Sequence, residues 1–189
     1  MRLQSAIFDL DGTLVEAPGF WAEAHDPAAL RETLAALPEG ERKAEEARLS
    51  ALYLQEAKPR PDVEKVLAIL KMETVWMYVV SDEKRPFIQE VLDKTGLNVY
   101  FRGVLTKGDA GHGMDDPLLY EYATRRLRSC KLDTVIFSSR PTALKTANDA
   151  GYRTASVYDP ARESIQAENR ALATYFYQNY KEMVDQQTR

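Results

Sequence analysis

Two aspartates near the start of the chain have the spacing and the setting for phosphoryl-transfer chemistry. Asp9 and Asp11 follow an apolar run at residues 6–8 and directly precede the turn that begins at Gly12. The run is typical of a buried β-strand, and because side chains alternate along a strand, both carboxylates lie on one face at its carboxyl end. Open α/β sheets bind their ligands at that edge. A carboxylate there can accept a phosphoryl group and release it again.

Three segments of the chain resemble the haloacid dehalogenase superfamily of hydrolases. They are residues 8–14, 79–82 and 135–137, and they follow one another in the family's order and approximate spacing. The resemblance covers nearly the whole chain. It implies an α/β fold with a Rossmann-like parallel sheet, helices on both faces and a small helical cap insertion.

The resemblance also implies roles for the first motif. By position, Asp9 is the nucleophile that forms an aspartyl-phosphate, and Asp11 is the general acid and base. Magnesium is the implied cofactor, because a hard cation lets two anions, the carboxylate and the phosphate, approach closely. The predicted ligands are Asp9, the Leu10 carbonyl, Asp11, Ser138 and Ser139.

Ser81 and Asp82 form the second motif at the end of a β-prone run over residues 74–80. Pro86 lies where a following helix would begin, since proline suits the first helical turn. A hydroxyl at a helix amino terminus can contact phosphate, because the backbone N–H groups there attract anions. Capping of the helix by Ser81 or Asp82 is the alternative interpretation.

The third motif departs from the family pattern, which supplies a lysine to balance the charge on the nucleophile and the phosphate. The matching position is His112, or Met114 if residues are deleted, and Lys107 lies upstream in a glycine-rich segment. Lys107 and His112 are therefore both candidates for substrate binding. A solvated loop side chain is the alternative for each.

The fourth motif departs further, because Ser138, Ser139 and Arg140 stand where the family places magnesium-binding acids. A hydroxyl can still hold a magnesium position through water, but the loss of a carboxylate weakens the site. Arg140 adds a positive charge, which favours direct binding of an anion by Ser139 and Arg140. Capping of the helix at Pro141 is the alternative.

Composition limits the remaining possibilities. The 189 residues are 44% hydrophobic and carry a net charge of −4, which is ordinary for a globular protein and gives no basic surface for nucleic acid. The single cysteine excludes an internal disulfide framework and a cysteine zinc cluster. No apolar run approaches the ~20 residues of a membrane span, so we expect a cytoplasmic protein without a membrane partner.

The domain organisation follows from breaks in the helix and strand pattern. We expect a core at residues 1–16 and 59–189 and a short cap at residues 17–58, with helices over residues 28–37 and 39–57. Phe20, Trp21 and His25 lie near the hinge, where they could face substrate or fill the core. From Pro160 onward, apolar residues at helical spacing predict one long amphipathic helix, which packs on the sheet or cap or joins two copies in a homodimer.

Three functions are compatible with these residues. The first is a magnesium-dependent phosphatase of a small phosphorylated metabolite. The second is a catalytically degenerate relative that binds a phospho-ligand or a protein, which the serines of the fourth motif favour. The third is a hydrolase of another bond, such as carbon–halogen, although that chemistry has no need of Asp11.

Overall fold

The computed structural model describes residues 3–20 and 27–187 of the chain. The strands are β1 (Ser5–Phe8), β2 (Val15–Glu16), β3 (Lys58–Pro59), β4 (Trp76–Ser81), β5 (Val104–Thr106), β6 (Thr134–Phe137), β7 (Arg153–Val157) and β8 (Tyr175–Tyr177). Six of them form a parallel sheet in the order β5-β4-β1-β6-β7-β8. This agrees with the predicted Rossmann-like fold.

The helices cover both faces of the sheet. They are α1 (Pro27–Ala36), α2 (Glu39–Glu56), α3 (Val63–Met72), α4 (Arg85–Thr95), α5 (Lys107–Ala110), α6 (Pro117–Arg126), α7 (Pro141–Asp149), α8 (Gln166–Leu172) and α9 (Tyr180–Gln187). Side chains alternate across β1, so that Ala6 and Phe8 pack with α3, α4 and α9, whereas Ile7 packs with α6 and α7. Within the described residues, no helix has the length and apolar composition of a membrane span.

The order of the strands brings the predicted motifs to one edge. The chain leaves the central strand β1 for β4 and β5 on one side, and it later returns to β6 on the other side. The carboxyl ends of β1, β4 and β6 are therefore neighbours, since β1 pairs with both of the others. Ligands bind at such a switch point in open α/β sheets.

The insertion between β2 and β3 contains α1 and α2. The two strands pair antiparallel, Val15 with Pro59 and Glu16 with Lys58, and so close its base. Both helices agree with their predicted bounds to within one residue. Phe20 is buried against the ring of Tyr53, with a centroid distance of 5.2 Å. Trp21 and His25 lie outside the described residues.

The carboxyl-terminal segment is not the single helix that the spacing predicts. A 3₁₀ turn over Pro160–Ile165, α8, β8 and α9 follow one another there. The aromatic run of β8 favours a strand, and its pairing with β7 extends the sheet and overrides the helical pattern. Tyr180 and Met183 of α9 are buried in the core of the chain itself. These two residues of the apolar pattern therefore do not form a surface for self-association.

Candidate active site

Asp9 lies at the carboxyl end of β1, and its side chain is buried. Its Oδ1 accepts a hydrogen bond from the Leu10 N–H at 2.8 Å. Its Oδ2 accepts one from the Ser138 hydroxyl at 2.9 Å and one from Arg140 Nε at 3.1 Å. The central carboxylate is therefore held by the loop after β6, as the pairing of β1 with β6 requires.

Arg140 connects the first motif to the second. Its Nη1 donates to Asp82 Oδ2 at 2.9 Å, while its Nη2 contacts the thioether of Met114. Burial disfavours the charge of Arg140, but the carboxylates of Asp9 and Asp82 outweigh it and raise the pKa of the guanidinium above its ordinary value. The group is a permanent cation between two anions.

Asp11 has its own pair of donors. The Tyr53 hydroxyl, from α2 of the insertion, donates to Asp11 Oδ1 at 2.8 Å, and Arg162 pairs with Oδ2. Burial and the nearby charge of Asp9 raise the pKa of Tyr53, so its hydroxyl keeps the proton that it donates. The Asp11 carbonyl accepts from the Ser139 hydroxyl at 3.0 Å.

The turn that follows the two aspartates depends on Gly12. Its φ of +70° lies in the left-handed region that favours glycine. A Cβ at this position would also lie 2.6 Å from Ser139 Oγ and 3.0 Å from Arg162 Nη1. A side chain would push apart the contacts that hold Asp11.

Two side chains from distant parts of the chain hold the loop that follows the turn. The buried Arg60 donates to the Gly12 carbonyl at 2.6 Å and to the Tyr158 carbonyl at 2.5 Å. Tyr180 of α9 donates its hydroxyl to the Thr13 carbonyl at 2.7 Å. The carboxyl-terminal helix therefore takes part in positioning the loop of the first motif.

Ser81 and Asp82 lie at the end of β4, but neither caps the helix that follows. The Ser81 hydroxyl accepts the Glu83 N–H at 3.1 Å, and Lys84 is the N-cap residue of α4. Asp82 accepts the Met114 N–H at 2.8 Å in addition to the Arg140 contact. Asp82 is thus the anion that orients the guanidinium, and its contact with substrate stays a prediction.

Comparison with known proteins identifies the family. The model of the haloacid dehalogenase-like hydrolases matches residues 3–151, well over half of the chain. The chain belongs to this family. No curated protein matches it significantly in sequence.

Several solved structures share the fold over nearly the full length of the chain. A predicted phosphoglycolate phosphatase from Haemophilus somnus has a TM-score of 0.78 at 15% identity, and 99% of each chain is covered. CbbY from Rhodobacter sphaeroides, solved with phosphate, has a TM-score of 0.72 at 17% identity, with 96% of each chain covered. A family hydrolase from Streptococcus pneumoniae has a TM-score of 0.73 at 15% identity, covering 97% of this chain and 98% of its own.

The third motif of this haloacid dehalogenase-like hydrolase has no lysine beside Asp9. His112 Nδ1 lies 2.7 Å from Asp116 Oδ2 and its ring packs on Tyr122, so it is engaged at the start of α6. Lys107 begins the short helix α5 and is exposed. Met114 is the third-motif residue that reaches the site, where it touches Arg140.

The donors around Asp9 do not fit the magnesium ion that the family resemblance implies. The Leu10 carbonyl, a predicted magnesium ligand, accepts hydrogen bonds from the N–H groups of Leu14 at 2.8 Å and Val15 at 3.1 Å. It therefore stabilises the turn after the first motif. Among the described residues, no three histidine, cysteine or acidic side chains lie close enough to share a metal ion. Ser138 and Ser139 add hydroxyls without charge.

Positive charge already occupies the neighbourhood of these donors. Arg140 lies on Asp9 Oδ2, and Arg162 donates to Ser139 Oγ at 2.9 Å. A divalent cation beside Asp9 would be repelled by the Arg140 guanidinium, which cancels much of its attraction to the carboxylate. We conclude that these residues do not form a resident magnesium site.

Sequence reasoning missed two residues of the site, Tyr53 and Arg162. Both contact Asp11, from 42 and 151 positions away in the chain. The position of Tyr53 four residues after Leu49 on α2 marks it as an inward-facing residue. No signal in the sequence points from Arg162 to Asp11.

Proposed function

We propose that this chain hydrolyses a small phosphomonoester, with Asp9 as the nucleophile. The observation that carries the proposal is the position of the Asp9 carboxylate at the switch point of the sheet, with Oδ2 held by Ser138 and Arg140. Within the described residues, Oδ1 accepts a hydrogen bond only from the adjacent Leu10 N–H. Oδ1 is therefore the oxygen that attacks.

The proposed chemistry proceeds in two displacements. Asp9 Oδ1 forms a bond to phosphorus while the bond from phosphorus to the ester oxygen breaks, and Asp11 gives that oxygen its proton. Water then attacks the phosphorus of the aspartyl-phosphate and gives a proton to Asp11, while the bond from phosphorus to Asp9 Oδ1 breaks. Inorganic phosphate leaves, and both carboxyl groups return to their starting states.

The substrate groups that we propose for this site are Arg140, Ser81 and Lys107. Arg140 and Ser81 flank Asp9 at the ends of the neighbouring strands. A Cβ on Gly113 would touch both Asp82 Oδ1 and Lys107 Cδ, at 2.9 and 3.4 Å, so the lysine chain passes beside the second motif. His112 does not fit this role, because Asp116 holds it.

We assign the insertion at residues 17–58 to a cap over this site. The support is the Tyr53 hydroxyl, which reaches Asp11 from α2. A cap that touches the proton-transfer residue limits the space for the leaving group, so it selects among substrates. For a homodimer we propose the cap as the contact surface, through the exposed outer face of α2.

A phospho-ligand-binding module without turnover is the second candidate function. The contacts of Asp11 favour it, because Tyr53 and Arg162 engage both carboxylate oxygens and so stabilise the ionised form. An acid catalyst must carry a proton at the start of the reaction. The replacement of the fourth-motif acids by Ser138 and Ser139 points the same way.

A substrate screen separates the two candidates. Phosphorylated metabolites and an aryl phosphate are assayed with Mg²⁺ and with EDTA, using the original protein, Asp9→Asn and the control Asp93→Asn, an exposed residue of α4. The hydrolase predicts turnover that Asp9→Asn removes and Asp93→Asn preserves, together with the mass of one phosphoryl group trapped on Asp9. Binding of phosphate without turnover of any compound supports the second candidate.

A further inference from the structure

The guanidinium of Arg140 is fixed over the carboxyl ends of two strands. Nε bonds to Asp9 after β1, and Nη1 bonds to Asp82 after β4. The Ser138 hydroxyl also accepts the Arg140 N–H at 3.1 Å, which fixes the backbone from which the side chain starts. A charged group held by the ends of strands needs little reorganisation when a ligand arrives.

One end of this guanidinium has only a weak acceptor. Nη2 faces the sulfur of Met114, and a thioether is a poor substitute for an oxygen acceptor. The Arg140 side chain is 26% exposed, so a ligand can reach it from solvent. A phosphoryl oxygen is a stronger, charge-assisted acceptor for a guanidinium N–H. Arg140 can therefore bind an oxyanion while Asp82 continues to hold it.

We propose that Arg140 supplies the positive charge facing the phosphoryl group of the ligand, and that the site binds this group without a divalent cation. The inference rests on the proposed function, which makes a phosphoryl group the ligand of Asp9. The same replacements explain why magnesium fits poorly and why Arg140 can act in its place. The hydroxyls of Ser138 and Ser139 stand where the family has acids, and the next residue, Arg140, supplies the positive charge.

Titration calorimetry with inorganic phosphate tests the proposal. The original protein, Arg140→Lys, Arg140→Met and the control Arg48→Met are each titrated in EDTA and in Mg²⁺. Arg48 pairs with Glu45 on the exposed side of α2. We expect the same affinity in both buffers and at least about tenfold weaker binding in Arg140→Met, since a charge-assisted hydrogen bond is lost. Arg140→Lys keeps the positive charge but loses the planar set of guanidinium N–H donors, so this variant should bind phosphate with intermediate affinity.

A second variant exchanges the charges of the fourth motif. In Ser139→Asp/Arg140→Ser, a carboxylate replaces a hydroxyl and the cation is removed. We expect this protein to bind Mg²⁺ with measurable heat, whereas the original protein gives none. Phosphate binding that requires Mg²⁺ in the original protein, or that is unchanged in both Arg140→Met and Arg140→Lys, would overturn the proposal.

Hydrolysis of para-nitrophenyl phosphate in the same buffers separates this inference from the hydrolase proposal. Turnover that appears only with Mg²⁺ overturns the inference about Arg140 and supports the proposal that the chain is a hydrolase. Phosphate binding through Arg140 in EDTA, without hydrolysis in either buffer, supports the inference and contradicts the proposal that the chain is a hydrolase. Melting curves of each variant by circular dichroism show that the compared proteins are folded.

Discussion

At the scale of single residues, each of the two aspartates of the first motif is paired with an arginine from a different segment. Arg140 follows β6 and lies on Asp9, whereas Arg162 follows β7 and lies on Asp11. An ion pair that excludes water is stronger than one on the surface, because the effective dielectric constant falls on burial. The two carboxylates are therefore oriented by separate partners.

Asp11→Asn tests the proton-transfer role. The amide keeps the shape of the side chain but cannot deliver a proton, so hydrolysis of an alkyl phosphate should slow by roughly 10²–10⁴-fold. The aryl phosphate should lose less, since its leaving group needs little protonation. Steady-state rates on both substrates provide the comparison. An equal loss on the two substrates would assign Asp11 to positioning of the loop instead of proton transfer.

At the scale of elements, α2 of the insertion is attached to the site by a polar contact and an apolar one. Leu49 and Tyr53 are its buried residues, and the ring of Tyr53 packs edge-on against Phe20 and Phe87. The Tyr53 hydroxyl adds the bond to Asp11. The ring holds α2 on the core, and the hydroxyl connects α2 to the loop of the first motif.

Tyr53→Phe separates these two contacts. The ring packing survives, and the lost hydrogen bond to a carboxylate should lower the free energy of unfolding by about 1.5–3 kcal/mol. We expect the amides of α2 to exchange with deuterium faster than in the original protein. Tyr120→Phe is the matched control, because its buried hydroxyl donates to the Met114 carbonyl outside the insertion. Unchanged exchange in α2 would mean that apolar packing alone holds the insertion.

The short helix α5 depends on a capping box between Thr106 and Asp109. The hydrogen bond from Arg85, followed by those from Thr106, lowers the pKa of Asp109 from its ordinary 3.8 to about 2. Its contribution to stability is therefore complete above about pH 4 and is lost as the pH falls through about 2. Because Asp109 is largely solvated, Asp109→Asn should cost less than about 1 kcal/mol at pH 7. Urea unfolding at pH 7 and pH 2 should show the difference disappearing in acid.

At the scale of the whole molecule, the carboxyl-terminal helix α9 both packs into the core and supports the candidate site. Tyr180 is almost fully buried, and burial raises the pKa of its phenol above the ordinary value. Its hydroxyl holds the Thr13 carbonyl, 167 positions earlier in the chain. Loss of α9 would therefore affect both the stability and the shape of the first-motif loop.

Tyr180→Ala should lower the free energy of unfolding by about 3–5 kcal/mol, as expected for removal of a buried aromatic ring. Tyr175→Ala removes the same side chain from the edge strand β8, where the residue is 38% exposed. We expect the control to cost at most about 1 kcal/mol, as for most surface substitutions. Chemical denaturation of the three proteins measures both values. Equal costs would show that α9 contributes little to the core.

The sequence alone was sufficient for the class of fold and for the edge of the sheet at which the motifs meet. The alternation before Asp9, the glycine after Asp11 and the runs that end at Ser81 and Ser138 are local patterns, and local patterns determine strands and turns. The sequence also predicts the helices of the insertion, because α2 is rich in residues with high helix propensity.

Only the tertiary structure decided the partners of the two aspartates. Arg140 was recognised as a charge near the site, but its contacts with Asp9 and Asp82 depend on three strands from separate parts of the chain. Tyr53 and Arg162 meet at Asp11 for the same reason. The aromatic strand β8 interrupts a helical pattern because β7 offers it a free edge. Hydrogen-bond partners and ion pairs follow from folded distances, and the spacing of residues along the chain does not contain those distances.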